Sequence, residues 1–297
     1  MYKTILPWLF GLLALPAICA AQDNASRFAK LYEVSDTAGQ LKLLNKWTAE
    51  EPDDPELYIS WFNYYVYMSR HEVVSLNMGS GNNSGYVITD SSGKTVGNMS
   101  SSIQYRADVL KKGFDYIDKG ITRYPDRLDM RFGKIYMYGQ SEDYAAFTSE
   151  IIRTIDYAQT IRYRWKWEKG KPLEDSLNFF LNNIQGYVGT LYDTEDDAML
   201  PDMRRIAEAV LKYHPEHVES LSNVAITYLL VQEYDKALTY LLRAEKINPK
   251  DMIVVNNIAE AYKRKGDKAN ARLYLEKIVK YGTEEEAENA RHRIKAL

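Results

Sequence analysis

Two stretches of the chain repeat with a period of 34 residues. Leu221, Val224, Ala225, Tyr228, Ala237 and Leu241 are followed at that offset by Val255, Ile258, Ala259, Tyr262, Ala271 and Leu275, and each pair keeps its size and polarity class. Self-similarity at a fixed period of about 20–50 residues is the mark of stacked supersecondary units, so it restricts the fold more than any other feature. The spacing inside the repeat says what the unit is. Positions 221, 224, 225 and 228 lie three and four apart, which makes one apolar stripe of a helix; 237, 241 and 244 make a second stripe on a second helix. Ala237 and Ala271 fall where two helices must cross closely. Pro249 cannot continue a helix, and Asn248 before it is pushed toward extended geometry, so the pair ends one hairpin and frees the next. One such hairpin cannot bury its second face alone and needs a neighbour.

This pattern resembles the tetratricopeptide repeat, W-x2-L-G-x2-Y, then A-x3-F, then P. Leu221 and Val255 stand at the tryptophan position, and Ala225 and Ala259 at the glycine. The resemblance implies an all-α, right-handed α-α solenoid of helical hairpins, with two well-matched units over 218–283. Residues 284–297 carry a thin stripe of Ala287, Ala290, Ile294 and Leu297 between polar residues, as expected of a helix that caps a solenoid. Glu284, Glu285 and Glu286 at its start and Arg291, Arg293 and Lys295 toward its end complement the helix dipole.

The same punctuation recurs upstream at Pro52, Pro125 and Pro215, which predicts about five hairpins, with insertions, over residues 22–297. Helices are expected over 38–49, 56–70, 103–123, 128–138, 142–157, 173–192 and 201–213. Met130, Gly133 and Ala146 fit the repeat at their offsets, but Glu150 stands where an aromatic belongs. Residues 71–102 break the helical pattern. They are rich in Gly, Ser and Asn, and Tyr86–Asp90 and Lys94–Val96 flank Ser91-Ser92-Gly93, a turn whose last residue suits the left-handed conformation. Val73, Val74 and Leu76 offer a further strand. The expectation is a small inserted β-hairpin or three-stranded flap between the helices of an early hairpin.

The N-terminus reads as a secretory signal over 1–21: Lys3, an apolar run from Ile5 to Ile18, then Cys19, Ala20 and Ala21. Ile18 stands where lipoprotein signals carry a small residue, so cleavage near Ala21 is favoured over acylation of Cys19, the only cysteine. Gln22 and Asp23 after that site resemble the start of exported envelope proteins of Bacteroides-type bacteria. A periplasmic or secreted location follows, with no membrane span in the mature chain. A net charge of −3 argues against a nucleic-acid binder, which needs a concentrated basic footprint.

No phosphate loop, nucleophile elbow or HExxH motif is present, so neither an enzyme nor a cofactor is expected. His214 and His217 straddle Pro215 without a third ligand and read as turn residues rather than a metal pair. Asn24, Asn82 and Asn98 begin glycosylation sequons. Two binding surfaces remain. In tetratricopeptide arrays the first helix of each hairpin lines a concave groove. The resemblance places Ser222, Ile226 and Leu229, then Asn256, Glu260 and Lys263 there, and on the aromatic helix after Pro52 Tyr58, Phe62 and Tyr65. Ser222 and Ile226 replace the Lys and Asn with which some members grip a C-terminal carboxylate, so that activity is not implied. The second surface is Arg162, Arg164, Trp165 and Trp167 within a cation–aromatic run over 162–167. It suits sugar rings if exposed; alternatively the tryptophans anchor a linker while the cations stay in water. The reading is therefore a protein- or peptide-binding scaffold of the bacterial envelope, with a glycan-binding accessory role as the alternative.

Overall fold

A computed structural model describes residues 23–78 and 86–297. The expected signal over 1–21, Cys19 and the Asn82 sequon lie outside these residues. The described chain is a solenoid of helical hairpins with one inserted sheet. It opens with α1 (Asn24–Glu33), α2 (Thr37–Glu50) and α3 (Pro55–Ser69). The sheet follows: β1 (Arg70–Met78), β2 (Tyr86–Thr89) and β3 (Thr95–Tyr105). Then come α4 (Ala107–Arg123), α5 (Leu128–Gln140) and α6 (Tyr144–Thr160), and a short ribbon, β4 (Lys166–Trp167) with β5 (Lys171–Pro172). The rest is helical: α7 (Ser176–Tyr192), α8 (Leu200–Tyr213), α9 (Val218–Leu230), α10 (Tyr234–Ile247), α11 (Met252–Lys265), α12 (Lys268–Tyr281) and α13 (Glu284–Lys295).

Proline sets the phase of the solenoid. Glu51, Tyr124, His214 and Asn248, each preceding a proline, share φ between −136° and −126° and ψ between 63° and 85°. The proline ring excludes the helical region for the residue before it, so the helix stops there. Three of the four helices that follow are restarted by a side-chain cap: Asp54 accepts from Glu56 N, His217 from Ser220 N, and Asp251 from Ile253 N and Val254 N. Thr283 and Glu286 form a reciprocal capping box at the start of α13.

Within the 34-residue repeat the matched positions are the core. Leu221, Val224, Ala225, Ala237 and Leu241 have no exposed surface, and neither have Val255, Ile258, Ala259, Ala271 and Leu275. The structure adds a pair not anticipated, because Tyr228 stacks on Tyr240 and, one period later, Tyr262 stacks on Tyr274. Ala237 is the sharpest test of this register. Ala237→Trp is expected to overpack the α9–α10 crossing and to cost at least about 1–3 kcal/mol in denaturant unfolding. An unshifted midpoint would mean that the two helices do not cross there.

The insertion forms a three-stranded antiparallel sheet in the order β1-β3-β2 between α3 and α4, which pack together as one hairpin. Asp90 closes the β2–β3 turn: its carboxylate accepts from Ser92 N at 2.9 Å and Lys94 N at 3.0 Å, and Gly93 has φ 82°. Those hydrogen bonds, with Ser92 Oγ first, hold the Asp90 carboxyl below its ordinary range. Two local expectations are corrected. Residues 103–105 belong to β3, not to a helix, because the pairings Glu72↔Ile103 and Arg70↔Tyr105 extend the ladder to the base of the sheet. And α1 precedes the first expected helix; Asp23 caps it through Ser26 N, and Phe28 is buried with Leu43, Leu44 and Trp47.

Candidate functional site

Tyr58, Phe62 and Tyr65 face α4 rather than an open groove. Phe62 is 4% exposed. The helices approach so closely that a Cβ at Gly120 would lie 2.9 Å from Tyr58 Cβ and 3.0 Å from Met130 Sδ; at Gly113 it would lie 3.3 Å from Tyr65 Cβ. Tyr65 stacks on Trp61 and Tyr116, and the Tyr58 hydroxyl donates to Pro52 O at 3.0 Å. The reason is register. Ser222 and Asn256 each lie seven residues past a proline, and the same offset from Pro52 gives Ile59, not Tyr58. One residue is about 100° around a helix. Ile59, Asn63 and Val66 are the equivalent positions; Asn63 is exposed and the other two are half-buried.

On α9, Ser222 and Leu229 are buried and Ile226 is half-buried. On α11, Asn256 and Glu260 are half-buried and Lys263 is exposed. Arg293, reaching from α13, joins the first two: it donates to Asn256 Oδ1 and to a Glu260 carboxylate oxygen at 3.2 Å. Arg264 donates to the other Glu260 oxygen at 2.9 Å. Burial alone would raise the Glu260 carboxyl, but the Arg264 hydrogen bond and the charges of Lys263, Arg264 and Arg293 hold it below its ordinary range. Beside this network lies an open cleft of about 380 Å³ whose walls include Met252, Ile253, Asn256, Ile278, Asn289 and Arg293. Ile253 is 71% exposed at its mouth. The arrangement offers fixed donors and acceptors next to a bare apolar wall.

The second surface comes apart. Trp165 is 1% exposed and stacks on Phe180, with ring centres 5.9 Å apart. Trp167 is half-buried and meets Phe132 and Phe179 edge-on. Arg162 and Arg164 remain in solvent. Arg162 and Tyr163 both take positive φ as α6 ends, which turns the chain so that Trp165 enters the core. The tryptophans thus hold the linker between two hairpins and do not form a flat platform with the arginines. The exposed Tyr86, Tyr136, Tyr192 and Tyr281 lie on four different elements. The two histidines also serve local structure. His217 caps α9 and His214 meets the Tyr163 hydroxyl at 2.5 Å. Burial lowers both imidazole pKa values; for His217, Glu219 opposes that shift and His214 adds to it.

The tetratricopeptide-repeat family model matches residues 254–281. That segment of the chain is similar to a tetratricopeptide repeat. It spans nearly all of α11 and α12 and contains the second set of fully buried positions described above. No curated protein matches the chain. Among solved structures, the chain is similar to PilW, a type IV pilus biogenesis factor, at 8% identity over 90% of this chain and 96% of that one, with a TM-score of 0.40. It is similar to a tetratricopeptide-repeat protein from Parabacteroides merdae at 11% identity over 92% and 84% of the two chains, TM-score 0.37. A thermophilic repeat protein of Thermus thermophilus gives 13% identity over 92% and 96%, TM-score 0.30. Likeness this distant says nothing of partners.

Upstream, the hairpins depart from the tetratricopeptide pattern through buried charge that the sequence reading missed. Arg127, 2% exposed, donates to Glu56 and to both oxygens of Asp129. Lys134 sits between Asp118 and Glu150. Glu150 was the visible signal: a carboxylate at the repeat's aromatic position needs a buried cation opposite it. Among the described residues no helix is long and apolar enough to cross a membrane.

Proposed function

We propose that this protein is a non-enzymatic adaptor of the bacterial cell envelope. It holds a protein or peptide partner in the cleft between α11 and α13. The observation that carries the reading is the cleft itself, where Asn256 and Arg293 are fixed by mutual hydrogen bonding beside the exposed Ile253. Apolar anchoring next to pre-oriented polar groups is how a groove selects a peptide, since anchors supply affinity and fixed donors supply register. Export rests on the N-terminal signal pattern. The glycan alternative loses its main support with the burial of Trp165.

The test is comparative capture from an envelope fraction of the source cell, followed by affinity measurement with the recovered partner. Ile253→Asp is expected to weaken binding by about tenfold or more, the equivalent of ~1.4 kcal/mol. Ile253 projects into solvent, so the fold should be unaffected. A partner held equally well by the variant would move the site away from this cleft.

A further inference from the structure

The inserted sheet is amphipathic, yet its apolar side is covered by nothing among the described residues. Directly paired residues share a face, and successive residues alternate. The register Leu76↔Met99↔Tyr86 therefore defines one side of the sheet, with Val74, Met78 and Ile103 on the same side. The other side carries His71, Ser75, Asn77, Ser100, Ser102 and Gln104, with Val73 and the exposed Val87 as its apolar members. An antiparallel sheet normally turns its apolar face to a core and its polar face to water. Here the apolar face is open: Val74 is 58%, Leu76 64%, Met78 82%, Tyr86 78%, Met99 38% and Ile103 48% exposed.

We propose that this face is a dimer interface, occupied by the same face of a second copy of the chain. Three observations select a second copy. First, the area fits. The six side chains present roughly 700 Å², close to the ~800 Å² that each partner contributes to a standard stable interface. Second, among the described residues the charges on the face are Arg70 and Glu72, one of each sign at its base, so it offers no net charge to select a charged partner or an acidic lipid surface. Third, two such sheets are self-complementary. Antiparallel sheets stack about 10 Å apart with strands within about 30° of alignment, and a twofold axis through the Leu76–Met99–Tyr86 row would set each apolar row against its own copy. The insertion also stands clear of the solenoid. It is joined at its base, where Arg106 N donates to Ser69 O and Arg106 Nη2 to Met68 O, and β1 runs about 30 Å from there at ~3.3 Å per residue. Pairing through the flap leaves the α11–α13 cleft of each copy open, so this inference stands apart from the adaptor reading.

The experiment is the mass of the full chain in solution, by sedimentation or light scattering at micromolar concentration. The wild type is expected to be a dimer. Leu76→Lys with Tyr86→Lys should give a monomer, raising the dissociation constant at least about 100-fold, with helical circular dichroism and thermal unfolding of the solenoid unchanged. Ser75→Lys, on the polar face of the same strand, should leave the dimer intact and controls for a sheet that no longer forms. A monomeric wild type overturns the proposal. So does a dimer that survives the double change, a Ser75→Lys variant that dissociates equally, or a monomer that instead binds neutral phospholipid vesicles through Leu76 and Tyr86.

Discussion

Lys134→Met is expected to destabilise the protein by about 3–5 kcal/mol, the cost of stripping one partner from a buried ion pair. The Lys134 side chain is 6% exposed and that of Glu150 5%. The ammonium donates to Asp118 at 2.6 Å and to Glu150 at 2.9 Å. Burial would lower the Lys134 pKa, but these two carboxylates outweigh it and keep the group charged. Its partners are not equivalent. Asp118 is half exposed and can turn to water when the lysine is gone. Glu150 cannot; it keeps the solvent-facing Arg153 at 3.3 Å and the charge of the buried Arg131, but no ammonium donates to it directly. The stranded charge is therefore the source of the loss, and the companion experiment isolates it. Lys134→Met combined with Glu150→Leu fills the same volume with apolar groups. Replacing a whole buried pair in this way is commonly neutral or stabilising by about 1–4 kcal/mol. Chemical denaturation of the three variants should show a deep loss in the single change and recovery in the double. If Lys134→Met costs under about 1 kcal/mol, the pair behaves as a surface pair and the α5–α6 hairpin is looser than described.

The contrast between this hairpin and the C-terminal repeats explains what was legible in the sequence. Over 218–283 every constraint is local. Helix stripes, small crossing residues and pre-proline stops recur within one period, so periodicity alone locates the core. The Asp90–Lys94 turn was legible for the same reason, because Gly93 supplies the left-handed residue that the turn needs. Elsewhere the deciding partner is distant in sequence. Arg127 meets Glu56 across 71 residues, and Lys134 meets Glu150 across 16. Ile103 continues the helical stripe of α4 on paper, yet it pairs with Glu72 across the insertion, and the ladder wins. The groove residues show how narrow the margin is. Tyr58, Phe62 and Tyr65 are the conspicuous aromatics of α3, but a phase error of one residue separates the half-buried Ile59 and Val66 and the exposed Asn63 from the face that meets Gly113 and Gly120. Aromatic content marks a helix as important without saying whether it lines a groove or closes an interface.

Trp165 poses that same choice between core and groove, and a single substitution decides it. Trp165→Ala is expected to cost about 3–5 kcal/mol, the range for emptying a large aromatic site in a packed core. The indole lies between Phe180 and Tyr157, with ring centres 5.9 and 5.8 Å away. The Arg131 guanidinium stands 4.4 Å from the centre of the Tyr157 ring and 5.8 Å from that of Trp165. Burial lowers the Arg131 pKa, against the pull of Glu150 and Tyr157, so the aromatic faces help to hold a poorly hydrated cation. Losing the indole removes apolar packing and part of that support together. Its N–H has no hydrogen-bond partner among the described residues, so Trp165→Phe should forfeit only volume and retain most of the stability. Arg164→Ala, two atoms of backbone away but in solvent, should change stability by no more than about 0.5 kcal/mol. A ligand platform would give the opposite ranking: Trp165→Ala would unfold at the wild-type midpoint, and the linker surface would again be open to a sugar or a peptide aromatic.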